Sequence, residues 1–222
     1  MTVLVVVAHP DDETIGMGGT IARLADEGNL VHIHILAEGV STRHEGVDSD
    51  EARRRCQTAA TVLGASECSF GGYSTDGRLL SDDSQQNVVS AIEKLVDSVQ
   101  PSAVFTHHPG DIHADHRAVA VAVGYVTKTF GRCNRVREVL HFEVLSSTEQ
   151  QNGLVVPFWP NVFYDISDYV ERKCAAVVEY VEEVAPFPHP RSLDIIRAQA
   201  RVRGAQAGVS AAEAFVLSRS VR

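Results

Sequence analysis

Three carboxylates and an imidazole stand side by side in Ala8-His9-Pro10-Asp11-Asp12-Glu13. A second cluster follows in His107-His108-Pro109-Gly110-Asp111-Ile112-His113-Ala114-Asp115-His116, so five of the ten histidines of the chain fall in two short stretches. Imidazole nitrogen and carboxylate oxygen together suit zinc or ferrous iron, whereas magnesium asks for more oxygen. A hydrolytic metal site needs three protein ligands with one position left for water, and the reaction also needs a carboxylate that stays off the metal to take a proton. The two clusters supply that count with carboxylates to spare. His113 and His116 lie three apart, the spacing that places two side chains on one face of a first helical turn. Asp111 and Asp115 are candidates to orient His113 or His116 by accepting the second ring N–H.

Both clusters end an apolar run. Thr2 to Val7 and Ser102 to Thr106 read as buried strands that deliver these residues to the rim of a sheet, which is where open α/β sheets bind ligands. Helical spacing from Ile15 runs to Gly28, and Leu30 to Leu36 forms the next strand, so residues 1–37 make a βαβ unit with a right-handed crossover. Further helices are expected at 51–63, 88–99, 116–130, 167–184 and 192–206, and strands near 136–145 and 161–165, with two helices finishing the chain. The expected fold is α/β and Rossmann-like: one domain over residues 1–222, a mostly parallel sheet flanked by helices, and the metal site at the C-terminal strand ends. Loops at 38–50, 72–86, 146–160 and 185–191 are expected to wall the site.

Composition narrows the alternatives. With 20 Lys and Arg against 29 Asp and Glu the net charge is −9, and apart from Arg53-Arg54-Arg55 the cations are scattered, so nucleic acid and anionic membrane are poor partners. Cysteines 56, 68, 133 and 174 show no paired metal spacing and read as reduced residues. The first apolar run is short for a signal peptide and lacks a basic flank, and nowhere are 18 consecutive residues apolar, so a cytoplasmic location without membrane insertion is expected. Gly16-Met17-Gly18-Gly19 departs from the dinucleotide fingerprint because Ile21 stands where the last glycine belongs. These glycines are expected to let the first helix approach the sheet closely. His32, His34 and His141 lie within strands and read as structural.

The two motifs, with Gly18-Gly19-Thr20 between them, resemble the LmbE-like (PIG-L type) de-N-acetylases, zinc hydrolases that remove acetyl groups from N-acetylglucosamine-containing molecules. The resemblance covers nearly the whole chain. It implies zinc held by His9, Asp12 and His116, Asp11 as general base, and His113 assisting at the transition state. It also implies a substrate-contacting arginine on the helix after the second strand, best matched by Arg53, although Arg54 stands where relatives often carry glutamate. Phe187-Pro188-His189-Pro190-Arg191-Ser192 and Phe158-Trp159-Pro160-Asn161-Val162-Phe163 are similar to a bacterial branch found with glycan and secondary-metabolite pathways, and Arg191 is a second candidate for substrate contact. The implied substrate is a small N-acetylated sugar or its conjugate, and a homo-oligomer is compatible with this reading. Rival readings are an amidase acting on an amino-sugar thiol conjugate, which would share the site, and a metal-binding module without catalysis, against which the spare carboxylate Asp11 argues.

Overall fold

The computed structural model describes residues 1–37, 49–73, 80–131, 135–151, 153 and 156–222. Seven strands form one sheet in the order β3-β2-β1-β4-β5-β7-β6, with β1 at Thr2–Val7, β2 at Leu30–Ala37, β3 at Glu67–Tyr73, β4 at Ala103–His107, β5 at Glu138–Phe142, β6 at Val162–Asp165 and β7 at Ala212–Ser220. From β3 through β5 all pairings are parallel, while β7 runs antiparallel to both β5 and β6. Among the described residues six α-helices cover the two faces: α1 Asp12–Asp26, α2 Ser49–Leu63, α3 Gln85–Val99, α4 Ala114–Val126, α5 Val170–Val177 and α6 Leu193–Ala207.

The alternation of β1 builds both cores at once, because successive side chains of a strand point to opposite faces. Val3, Val5 and Val7 pack with Ile21, Leu63 and Phe215 under α1, α2, α5 and α6. Leu4, Val6 and Ala8 pack with Ile92, Val96 and Val123 under α3 and α4. A strand buried on both faces has no polar period, which is why Val3 to Val7 reads as a continuous apolar run. Since β1 lies between β2 and β4, the strand order turns at β1, and the crevice beyond the ends of β1 and β4 is the topological switch point of the sheet.

Helix α1 carries the first motif into that crevice. A Cβ at Gly16 would collide with the Phe142 ring, and one at Gly19 would lie 2.7 Å from Ile166 Cδ1, so the glycines allow the close approach expected of them. The helix also breaks at Met17, whose φ of −148° is not helical. The groups freed by that break are satisfied from other elements. Lys173 Nζ on α5 donates to Ile15 O at 2.8 Å, and Glu213 on β7 accepts from the amides of Gly19 and Thr20 at 3.0 and 2.6 Å. Lys173 and Glu213 meet at 2.6 Å and are almost fully buried.

Several expectations are corrected. The chain finishes in a strand, β7, and an unexpected edge strand, β3, precedes α3. A charged Glu213 interrupts the apolar pattern of β7, and β3 is only half buried and contains Gly71-Gly72, so neither stretch carries a strong strand period. The helix expected over 167–184 ends at Val177, because the following turns place Tyr180 against Glu13 and Glu183 against Arg191. Most of the expected loop 38–50, residues 74–79 of the next, and Cys133 lie outside the described residues.

Candidate metal centre

Strand pairing brings the two motifs together. β1 and β4 are neighbours in register from Val3 with Ala103 to Val6 with Thr106, so both strands end side by side. His107, the last residue of β4, accepts a 2.8 Å hydrogen bond from the Ala8 amide through Nε2 and fastens the two ends.

Asp12, at the first position of α1, is the hub. Its Oδ2 accepts from the His9 amide at 2.8 Å and lies 3.5 Å from His9 Nδ1, and its Oδ1 lies 3.3 Å from His116 Nε2. The outward nitrogens are held elsewhere. His9 Nε2 bonds to Asp115 Oδ2 at 2.8 Å, and His116 Nδ1 lies 3.1 Å from Asp111 Oδ2. Asp115 is fixed in turn by the Ser81 amide at 2.7 Å, and Asp111 by Thr148 Oγ1 at 2.6 Å, by Ser147 Oγ and by the His113 amide at 2.8 Å. Each expected ligand histidine therefore presents one nitrogen to Asp12 and is gripped through the other by an aspartate, the arrangement that fixes ring orientation in metal sites. The donor set and its supports fit a divalent ion.

Charge follows the same geometry. Burial alone would lower the pKa values of both rings, yet Asp115 and Asp12 raise His9 to about 9, and Asp12 and Asp111 raise His116 to about 10. Burial alone would also raise Asp12, but His116 beside it holds the carboxylate well below the usual range. A site that keeps two protons on its rings stabilises positive charge where a cation would sit. Asp11 differs: burial raises its pKa, which Arg191 only partly offsets.

His113 caps α4 from just before its first residue, its Nδ1 accepting from the Asp115 amide at 3.2 Å. That bond leaves the ring proton on Nε2. Burial, with His116 and His9 close by, lowers the His113 pKa to about 4, so the ring is a neutral N–H donor. Its centroid lies 4.7 Å from those of both His9 and His116. Ligand atoms of His9, His113 and His116 lie within 4.8 Å of one another, and so do those of Asp12, His107 and His116. His107 is the residue to which sequence reasoning gave no role. It is fully buried, its ring stacks on His116 at 3.9 Å, and its Nδ1 has no partner among the described residues. The signal was its place as the last residue of an apolar strand, which only the pairing of β4 with β1 makes informative.

The remaining predicted residues divide. Arg191 enters the cluster, its Nη1 lying 2.6 Å from Asp11 Oδ2. Arg53 on α2 sits with its guanidinium 5.6 Å from the centre of the Phe70 ring. His141 bonds to His107 O and Ser218 Oγ, both at 2.7 Å, in the structural manner expected.

The family model for PIG-L, GlcNAc-PI de-N-acetylase, matches residues 4–126, which include both motifs. The chain belongs to the PIG-L family. Within it, the uncharacterised deacetylase YaiS of Escherichia coli K12 is 28% identical over 186 residues, covering 80% of this chain and 89% of its own. The probable N-acetyl-alpha-D-glucosaminyl L-malate deacetylase 2 of Bacillus cereus is 27% identical over 184 residues, covering 79% and 80%. Among solved structures, the conserved protein TT1542 of Thermus thermophilus superposes with a TM-score of 0.78 at 26% identity over 99% of this chain and 96% of that one. The PIG-L match and the crevice coincide, since residues 4–126 contain the site end of β1, the whole of β4 and the starts of α1 and α4. Among the described residues no helix is long and apolar enough to cross a membrane.

Proposed function

We propose that the protein is a metal-dependent de-N-acetylase that hydrolyses the acetamide of an N-acetylated amino sugar or its conjugate, releasing acetate and a free amine. The observation that carries this reading is the division of labour between two adjacent carboxylates. Asp12 lies against His9 and His116, while Asp11 beside it is paired with Arg191. His9, Asp12 and His116 would hold the ion, zinc or ferrous iron by their donor types. When bound there, the ion supplies Lewis acidity toward the carbonyl and makes water a nucleophile at neutral pH.

The chain's own residues then have these roles. Asp11 accepts a proton as the water oxygen bonds to the acetamide carbon. His113 donates its Nε2–H to the oxygen on which negative charge develops, as a neutral donor already oriented by the Asp115 amide. As the C–N bond breaks, the proton held by Asp11 passes to the departing nitrogen, leaving the base ready for another cycle. Asp111 and Asp115 keep the His116 and His9 rings turned. Arg53, half buried at the start of α2, is assigned to contact with the sugar, and Arg53→Ala should raise KM while leaving kcat intact. The unpaired Cys56, Cys68 and Cys174 support a reducing compartment such as the cytoplasm.

Acetate release measured across a panel of N-acetylated sugars, with metal analysis of the same preparation, tests this reading. It requires turnover of at least one N-acetylglucosamine-containing compound and about one zinc or iron ion per chain. Metal-loaded protein that releases acetate from none of the panel would leave a metal-binding module as the better description.

A further inference from the structure

The Asp11 carboxylate is held by a side chain from the far end of the sequence. Asp11 precedes α1, where an aspartate ordinarily turns its carboxylate onto the first free amides of the helix. Here the amides of Thr14 and Ile15 bond to the Asp11 main-chain oxygen at 3.0 and 2.9 Å, and the side chain makes no capping bond. A φ of 95°, in the region L residues avoid, turns the carboxylate toward Arg191 instead. Arg191 is fixed in its turn. Its Nε donates to Ser146 Oγ at 2.8 Å, Nη1 also pairs with Glu183, and Ser146 has a positive φ of 73°. Two of the three non-glycine residues with positive φ among those described thus lie on this one chain of contacts. The Asp11 side chain is 3% exposed and that of Arg191 17%.

A guanidinium that reads substrate presents its fork of donors to the open cleft. This one directs Nε and Nη1 at protein groups, one of which is the carboxylate read above as the general base. We infer that Arg191 is a positioning residue: resting on that reading, its guanidinium aims the Asp11 carboxylate at the attacking water, and Ser146 and Glu183 hold the guanidinium in place. Loss of such aim is a loss of orientation, and a displacement of about 1 Å costs about 10²-fold in rate.

The test uses zinc-loaded full-length protein and the best substrate of the acetate-release panel. Arg191→Ala should lower kcat about 10²-fold with KM within about threefold of wild type, and with zinc content retained. Arg191→Lys, which keeps the charge but lacks the planar fork, should fall between the two. Introduced into Asp11→Asn, Arg191→Ala should cause no further loss, because a residue acting through Asp11 has nothing left to act on. Added guanidinium ion should restore part of kcat to Arg191→Ala and none to the double variant. A raised KM at unchanged kcat would show Arg191 to be a substrate contact, and losses that multiply in the double variant would show that it does not act through Asp11. Either result overturns the inference. A wild type inactive on the whole panel counts against the deacetylase reading and removes the role of Arg191 with it.

Discussion

Asp11 and Asp12 are neighbours in sequence with opposite surroundings. Both are buried, but Asp12 lies among imidazoles and its pKa falls, while Asp11 has a single arginine and its pKa rises through burial. Replacing each by asparagine should separate the two roles. Asp11→Asn should keep its metal and lose about 10²–10⁴-fold in hydrolysis, while Asp12→Asn should lose metal as well, as measured by bound zinc against acetate release. Exchanged phenotypes would reverse the assignment of base and ligand. The histidines give a pH prediction. Their folded values, about 9 for His9 and about 10 for His116, lie above the ordinary 6.5. A raised value means the metal-free fold gains stability from these groups below pH 6.5 and loses it as pH rises through 9 and 10. The buried aspartates Asp111 and Asp115, with depressed values, act in the opposite sense and withdraw stability on acidification. Zinc must displace the ring protons, so its affinity should climb from pH 6.5 toward 9, with proton release seen in calorimetry across buffers of different ionisation enthalpy. An affinity flat over that range would contradict the arrangement.

At the scale of elements, the break in α1 is held from outside the helix. A helix that continued through Met17 would have satisfied its own carbonyls and amides, whereas here Lys173 from α5 donates to the Ile15 carbonyl and Glu213 from β7 accepts from the Gly19 and Thr20 amides. Removing one partner of a buried pair leaves the other charge uncompensated, which costs about 3–5 kcal/mol. Lys173→Met should therefore destabilise the fold by that order in urea unfolding, and adding Glu213→Gln should recover part of the loss. If Lys173→Met unfolds at the same urea concentration as wild type, the pair is not what holds the break. A different contact accompanies the irregularity after α5, where Tyr180 donates to Glu13 at 2.6 Å from beyond the end of the helix.

For the whole molecule, the site is a meeting of element ends that lie far apart in sequence. Asp12 comes from β1 and α1, His107 from β4, His116 from α4, and Arg191 from the segment before α6. A ligand that binds only this assembled state stabilises it by mass action, about 2.7 kcal/mol at a free concentration 100 times its Kd. Zinc should therefore raise the thermal midpoint, and a chelator should lower it to the metal-free value. His116→Ala should shift little with either. An equal response in that variant would place the ion elsewhere.

The two motifs, the apolar strands that end in them, the mostly parallel sheet and the family were legible in the amino-acid sequence, because burial of β1 and β4 on both faces leaves a continuous apolar run and the ligand types stand directly after it. The period of α6, which buries Ile196, Ala200 and Gly204 as one stripe, was legible in a similar way, and the place of β6 was legible from Val162, Phe163 and Tyr164, residue types that favour strands. What the sequence could not show depended on contacts across long separations. Glu213 reads as a charge out of place until Lys173 and the amides of Gly19 and Thr20 are beside it. His107 looks like one of several strand-end histidines until the register of β4 against β1 sets it over Ala8 and under His116. Arg191, 180 residues from Asp11, reads as a surface cation until the chain folds it onto that carboxylate. Local periodicity records which face of an element is buried; the partner of a buried charge is recorded only in three dimensions, since the energy that keeps the charge there comes from a residue the local pattern never sees.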